Sequence, residues 1–162
     1  MKQLTPTHLA LIHRRAIEAE MAAALIDGYA AVIGQDQALK IAGSVIRNIA
    51  RQTGHRLATE RGSNSLADLA ELISQLWCAE DALQVEILRQ APSQLYFNVI
   101  RCRYAEQYEQ MGLKELGFCL SCNRDGALCE GFNPQIRLQR SQTIMQGAPF
   151  CDFRFDLQPD GT

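Results

Sequence analysis

The chain has no apolar run approaching the ~20 residues that span a bilayer. Its first ten residues, Met1 to Ala10, hold one Lys and none of the apolar core of a secretory signal. These absences point to a cytoplasmic protein without a membrane partner. An excess of one charge is also missing: 16 Lys and Arg stand against 18 Asp and Glu, a formal charge of −2. Nothing general therefore draws nucleic acid. The three histidines, His8, His13 and His55, all lie in the first half, where they are expected on helix surfaces. There is no Gly-x-Gly-x-x-Gly, no Walker lysine motif and no Gly-x-Ser-x-Gly, so nucleotide binding and serine-hydrolase chemistry lose support and no cofactor is expected.

What is present suits one domain, residues 1–162. A chain of this length buries roughly 70% of its unfolded surface, and with 47% hydrophobic residues its core needs neither disulfide nor metal. In a reducing compartment the six cysteines read as free thiols, ligands or a nucleophile. Four of them follow residue 118.

Residues 1–80 read as helical. Apolar residues fall near helical spacing from about Thr7 to Ile26, with Asp27-Gly28 as the stop. Ile41, Ala42, Val45, Ile46, Ile49 and Ala50 mark a second helix from Asp36 to Gly54, or on to Glu60. A third starts at Ser65, with Asp68 completing a near capping box. Residues 81–157 mix sheet and helix. Leu83, Val85 and Ile87 alternate with polar residues, as do Leu95, Phe97 and Val99, and the break at Ala91-Pro92-Ser93 suits a hairpin. Helix returns from Tyr104 to Leu116, and is favoured over strand from Phe118 to Phe132. A strand from Asn133-Pro134 to about Met145, a turn at Gln146 to Pro149 and a last strand from Phe150 to Leu157 complete an antiparallel sheet. Gln158 to Thr162 reads as a frayed tail. The fold class is α+β, with one or two helices packed across the sheet.

If the segment around Cys122 is helical, Cys122, Asp125 and Cys129 share one face. The pair Cys122 and Asp125 is then either a nucleophile with an acid–base partner, or a core thiol beside a surface carboxylate. Cys119, Cys122, Cys129 and Cys151 offer a weak four-thiolate zinc pattern, and no metal is expected. Cys151 alternates with Phe153 and Phe155, so it is either a buried core thiol or sits at a pocket mouth beside the turn. Arg101 continues the phase of Leu95, Phe97 and Val99. Its guanidinium either grips a substrate carboxylate bidentately or pairs with Glu106 or Asp125.

Several blocks carry a resemblance. They are Arg14-Arg15-Ala-Ile-Glu18, Arg101-Cys-Arg-Tyr-Ala-Glu-Gln-Tyr108, Leu116-Gly to Ser121-Cys-Asn-Arg-Asp125, Glu130-Gly-Phe-Asn-Pro134, and Thr143-Ile-Met-Gln-Gly147 to Cys151-Asp-Phe-Arg154. In order and spacing they resemble the L-2-amino-thiazoline-4-carboxylate hydrolase family. More distantly, Gly147-x3-Cys151-x-Phe153 is similar to the end of 4-vinyl reductase domains, which are small-molecule-binding α+β modules. The first resemblance implies a hydrolase that opens a small cyclic amidine or isothiourea. Cys122, Asp125 and Cys151 would be its catalytic positions, and Arg101, Tyr104 and Asp152 its substrate-binding ones. The second implies a non-catalytic small-molecule-binding module. A homo-oligomer is compatible with either. In the implied substrate, C2 bonds to sulfur and two nitrogens and is electrophilic. A thiolate, of pKa near ~8.5, leaves it more readily than an unprotonated amine, so C–S cleavage to a carbamoyl amino acid is the easier course.

Overall fold

A computed structural model describes residues 9–158. The first helix, α1 (Leu11–Ile33), runs past the expected stop: Gly28 lies inside it, and it ends at Gly34, whose φ of 87° few other residues adopt. The expected start at Thr7 lies outside the described residues. The second helix, α2 (Gln35–Arg61), folds back along α1 and takes the longer of its two expected ends. Ser65 begins α3 (Leu66–Leu72) as anticipated: its hydroxyl accepts the Asp68 amide while the Asp68 carboxylate accepts the Ser65 amide. A π-helical turn, Ile73–Trp77, follows. Glu80 and Asp81 then adopt left-handed backbone (φ 55° and 54°) where the chain turns into the sheet.

The sheet has four antiparallel strands, β1 (Leu83–Ala91), β2 (Gln94–Cys102), β3 (Ile136–Gln139) and β4 (Cys151–Leu157), in the order β1–β2–β4–β3. The hairpin of β1 (Leu83–Ala91) and β2 (Gln94–Cys102) turns where the Ala91-Pro92-Ser93 break places it. Two corrections concern segment length. The expected helix from Tyr104 to Leu116 is two, α4 (Arg103–Gln110) and α5 (Lys114–Gly117), because Gly112 at φ 70° breaks it. The expected strand to Met145 is the shorter β3 (Ile136–Gln139), because the Thr143 hydroxyl caps a 3-10 turn over Ile144–Gln146. Between them the Phe118–Phe132 segment is helical, as favoured: a π-helical turn Phe118–Cys122, then α6 (Arg124–Phe132). The strand β4 (Cys151–Leu157) follows the Gly147 turn. Of the expected tail, Gln158 donates its amide to Gln135, and the remainder lies outside the described residues.

Alternation explains the sheet's two faces. Leu95, Phe97 and Val99 lie opposite Phe155, Phe153 and Cys151, and this face packs against α3 and α6. The other face is polar: Tyr96 donates to Asp156 (2.6 Å) and Arg154 to Asn98 (2.9 Å). On the edge strand β1, Val85 and Ile87 stay exposed. A second apolar cluster joins α1 to Tyr104, Tyr108 and Leu120. The helix α6 is held between α2 and the sheet by close backbone contact. A methyl group at Gly54 would overlap the Leu128 carbonyl, and one at Gly131 would overlap that of Arg51. Glycine is therefore required at both positions by contact.

This difference is testable. Gly54→Ala should destabilise by ~3 kcal/mol, because backbone must move. Gly28→Ala has no atom within 4 Å of the added methyl and should stabilise by ~0.5–1 kcal/mol. Urea melts of the two variants check both signs.

Candidate functional site

Where the two apolar clusters meet, α1, α4, α6 and the sheet enclose a cavity of about 70 Å³. Its wall brings together four of the six expected site residues: Cys122, Asp125, Cys151 and Tyr104. Both π-helical turns end on this wall, one at Trp77 and the other at Cys122. Insertions of that kind turn a side chain out of the regular helical register and recur at functional sites.

Arg140, which follows β3, reaches back across the cavity. Its Nη1 donates to Asp125 Oδ2 at 2.5 Å and its Nη2 to the Cys122 carbonyl at 3.0 Å. The guanidinium also lies over the Phe153 ring, 5.0 Å from its centroid. Burial raises the Asp125 carboxyl above the ordinary carboxylate range, and Arg140 draws it part of the way back. Burial lowers the affinity of Arg140 for its proton, but Asp125 and then Cys122 outweigh it and leave the value raised. The two side chains form one buried, hydrogen-bonded pair, in which Asp125 is a stronger base than a solvated carboxylate.

A second charged group also lines the cavity. Arg15 Nη1 and Arg124 Nη2 both donate to Oε2 of Glu18, at 2.5 and 3.2 Å, and Arg124 Nε donates to the Leu120 carbonyl at 2.7 Å. Burial, and then the neighbouring Arg15, depress Arg124 to about 10. The arginine side chains are only 14% (Arg15), 10% (Arg124) and 10% (Arg140) exposed, and two carboxylates, Glu18 and Asp125, serve all three. Among the described residues no further carboxylate pairs with them. Burial raises the Cys102 thiol to about 12 and raises Cys122, Cys151 and Tyr104 as well, so all stay neutral. For Cys122 the nearby Asp125 carboxylate adds to the effect of burial. The Cys151 sulfur accepts the Ile144 amide at 3.2 Å, and the Tyr104 hydroxyl donates to the Trp77 carbonyl at 3.3 Å.

Arg101 and Asp152 lie elsewhere. Beyond Val99, β2 has no β4 partner, so Arg101 projects past the apolar face and pairs with Glu106 at 2.8 Å, on the surface. That is the ion-pair alternative left open by the sequence. Asp152 points to the polar side, where its carboxylate accepts the Ser141 amide and hydroxyl and the Gln142 amide. Burial opposes its ionisation, but these donors hold it below the ordinary range. It fixes the loop immediately after Arg140. The four cysteines of the zinc pattern do not converge. Cys119 faces the Leu39 carbonyl and Cys129 is in the main core, and no group of three or more potential ligands occurs among the described residues. His13 pairs on the surface with Glu80, His55 is exposed, and His8 lies outside the described residues. Arg15, Trp77, Cys102, Arg124 and Arg140 also line the wall, though none of them was a candidate site residue in the sequence.

Removing Arg140 should leave Asp125 buried without its cation. Arg140→Met should then cost ~3 kcal/mol at pH 8. An acid whose folded pKa is raised penalises folding above its unfolded pKa, and the penalty fades as pH falls through the folded value. The loss should therefore shrink at pH 5, which denaturant melts at the two pH values will show.

The fold has relatives among solved structures. The phenol-responsive sensory domain of the transcription activator PoxR, determined with phenol, matches at a TM-score of 0.53 and 14% identity, covering 86% of this chain and 73% of that one. Trafficking protein particle complex subunit 3 from Naegleria fowleri, covalently bound to palmitic acid, matches at 0.51 and 10% identity, covering 90% and 96%. These likenesses establish a shared fold. No curated protein is significantly similar to the chain. No described helix is long and apolar enough to cross a membrane. The family model for L-2-amino-thiazoline-4-carboxylic acid hydrolase matches residues 14–155, nearly the whole length, and the chain belongs to that family.

Proposed function

We propose that this protein is a ring-opening hydrolase for a small cyclic amidine or isothiourea that carries a carboxylate. The observation behind it is the cavity's charge layout. Arg15 and Arg124, which share a single carboxylate, line the same cavity as the basic, buried Asp125 and the Cys122 thiol. A zwitterion with a carboxylate at one end and an amidinium at the other complements both.

The chemistry then follows from the charges. Burial first and the Asp125 carboxylate second keep Cys122 protonated; an amidinium beside Asp125 offsets the second and gives the thiolate a counter-cation, so the thiol ionises as it attacks. Its proton passes to Asp125 and its sulfur bonds to C2. The ring C2–S bond breaks, and the departing sulfur takes the proton from Asp125. One water then adds to C2, giving a proton to Asp125; Cys122 leaves as a thiol with that proton restored, and the O-protonated urea so formed releases to solvent the proton the amidinium brought in. The net reaction consumes one water and yields a carbamoyl amino acid with a free thiol. Arg140 holds Asp125 and the Cys122 carbonyl in place, and Tyr104 and Trp77 close the cavity wall.

A second reading, a non-catalytic small-molecule-binding module, is favoured by one observation: all three cavity thiols are raised. The phenol-bound sensory domain with the same fold agrees with it. Turnover separates the two. Asp125→Asn should lower kcat by ~10²–10⁴, Arg124→Lys should lower kcat/KM at least ~10-fold, and Arg101→Lys should change neither. Cys122→Ser should abolish turnover, and quenched wild-type enzyme should carry a substrate-derived mass on Cys122. Loss of turnover in Cys151→Ser but not in Cys122→Ser would move the attack to Cys151, and binding without turnover would favour the module.

Thiol reactivity gives an independent check. Without ligand, Cys122 should react slowly with iodoacetamide at pH 7 and faster as pH rises, since the thiolate is the nucleophile. A protonated cyclic amidine carboxylate that is not turned over should accelerate its ionisation at fixed pH, read as a rise in thiolate absorbance. A fast-reacting Cys122 in the free protein would contradict this mechanism.

A further inference from the structure

The helix α1 is apolar on two opposite sides. Ile12, Ala19, Ala23 and Ile26 form its buried stripe. On the reverse side Met21 (66% exposed), Leu25 (50%), Tyr29 (59%) and Val32 (83%) face outward. The adjoining side of α2 adds Ile41, Val45 and Ile49, each about half exposed. Between the helices runs an apolar groove of about 410 Å³, floored by Ala38, Ile46 and Leu120. A helix that is apolar all round is ordinarily buried all round. The exposed side chains here present on the order of 900 Å² of mostly apolar surface, beyond the few hundred Å² that a monomer shows.

We infer that this face is the interface of a homodimer, in which the α1–α2 hairpins of two copies pack against each other as a four-helix bundle. Area argues for a second copy: a stable interface buries roughly 800 Å² per partner, which this face supplies. Shape agrees, since a two-helix slab with a groove between its helices is self-complementary about a two-fold axis, the commonest symmetry of soluble oligomers. The face lies apart from the proposed active site but is joined to it at one point: Leu120 floors the groove, and its carbonyl receives Arg124 Nε.

Sedimentation equilibrium of the full chain tests this, with the Val45→Glu and Leu25→Glu variants alongside. Both positions are half exposed, so the substitutions spare the monomer's core, and circular dichroism confirms that the fold is intact. The expected result is a wild-type mass of twice 18.1 kDa and a dimer weakened at least ~100-fold in each variant, because a carboxylate is buried without a partner. A wild-type monomer at 100 µM overturns the proposal, as does a dimer untouched by either substitution. Co-sedimentation with phosphatidylcholine–phosphatidylglycerol vesicles, lost in Val45→Glu, overturns it in favour of a membrane.

Discussion

Arg140 ties together three parts of the chain that are otherwise separate. It leaves the end of β3, grips Asp125 on the first turn of α6, holds the carbonyl that ends the π-helical turn at Cys122, and lies on the Phe153 ring of β4. A guanidinium so enclosed is tolerable only because each contact is made: one carboxylate, one carbonyl and an aromatic face. The Asp152 carboxylate, outside the cavity, secures the Ser141 and Gln142 amides next to it. That loop in turn leads to the Ile144 amide that Cys151 accepts. Catalytic candidates on a helix, a π-helical turn and a strand thus share one support.

That support needs α6 close to α2, and two glycines allow it. With Gly54 against Leu128 and Gly131 against Arg51, the helices meet backbone to backbone. The side of α6 that meets the sheet contributes Ala127, Leu128, Cys129 and Phe132 to the main core. At the same time Arg124 reaches across to Glu18 of α1. One short helix therefore places Arg124 and Asp125, adjacent in sequence, on the wall of one cavity with different partners, Glu18 for the first and Arg140 for the second.

Local features were legible in the sequence, and long-range ones were not. The Ser65–Asp68 capping box, the hairpin around Pro92 and the alternation of Cys151, Phe153 and Phe155 each depend on neighbours within a few residues. The grouping of Cys122, Asp125, Tyr104 and Cys151 came from family-like blocks together with helical spacing. Gly28 and Gly34 look alike in sequence, yet only Gly34 takes positive φ, because packing of α2 on α1 decides where the turn falls. Arg101 had the right phase, but β4 ends its pairing with β2 two residues earlier. Arg140 left no local signal: its partner is fifteen positions away, and the strand expected through Met145 hid the loop that frees it. Arg15 and Arg124 sat inside the matching blocks, but only burial shows that they share one carboxylate.

Under the proposed function, this cavity recognises a zwitterion, with the anionic end toward Arg124 and Arg15. The chain's only tryptophan, Trp77, lines the cavity and reports its occupancy. The most direct measurement is a fluorescence titration of the Cys122→Ser protein with L-2-amino-thiazoline-4-carboxylate and, in parallel, with 2-aminothiazoline lacking the carboxylate. A saturable one-to-one change for the first, with at least ~10-fold weaker binding of the second, is the expected result. No saturable change with either compound, or equal affinity for both, would contradict the account.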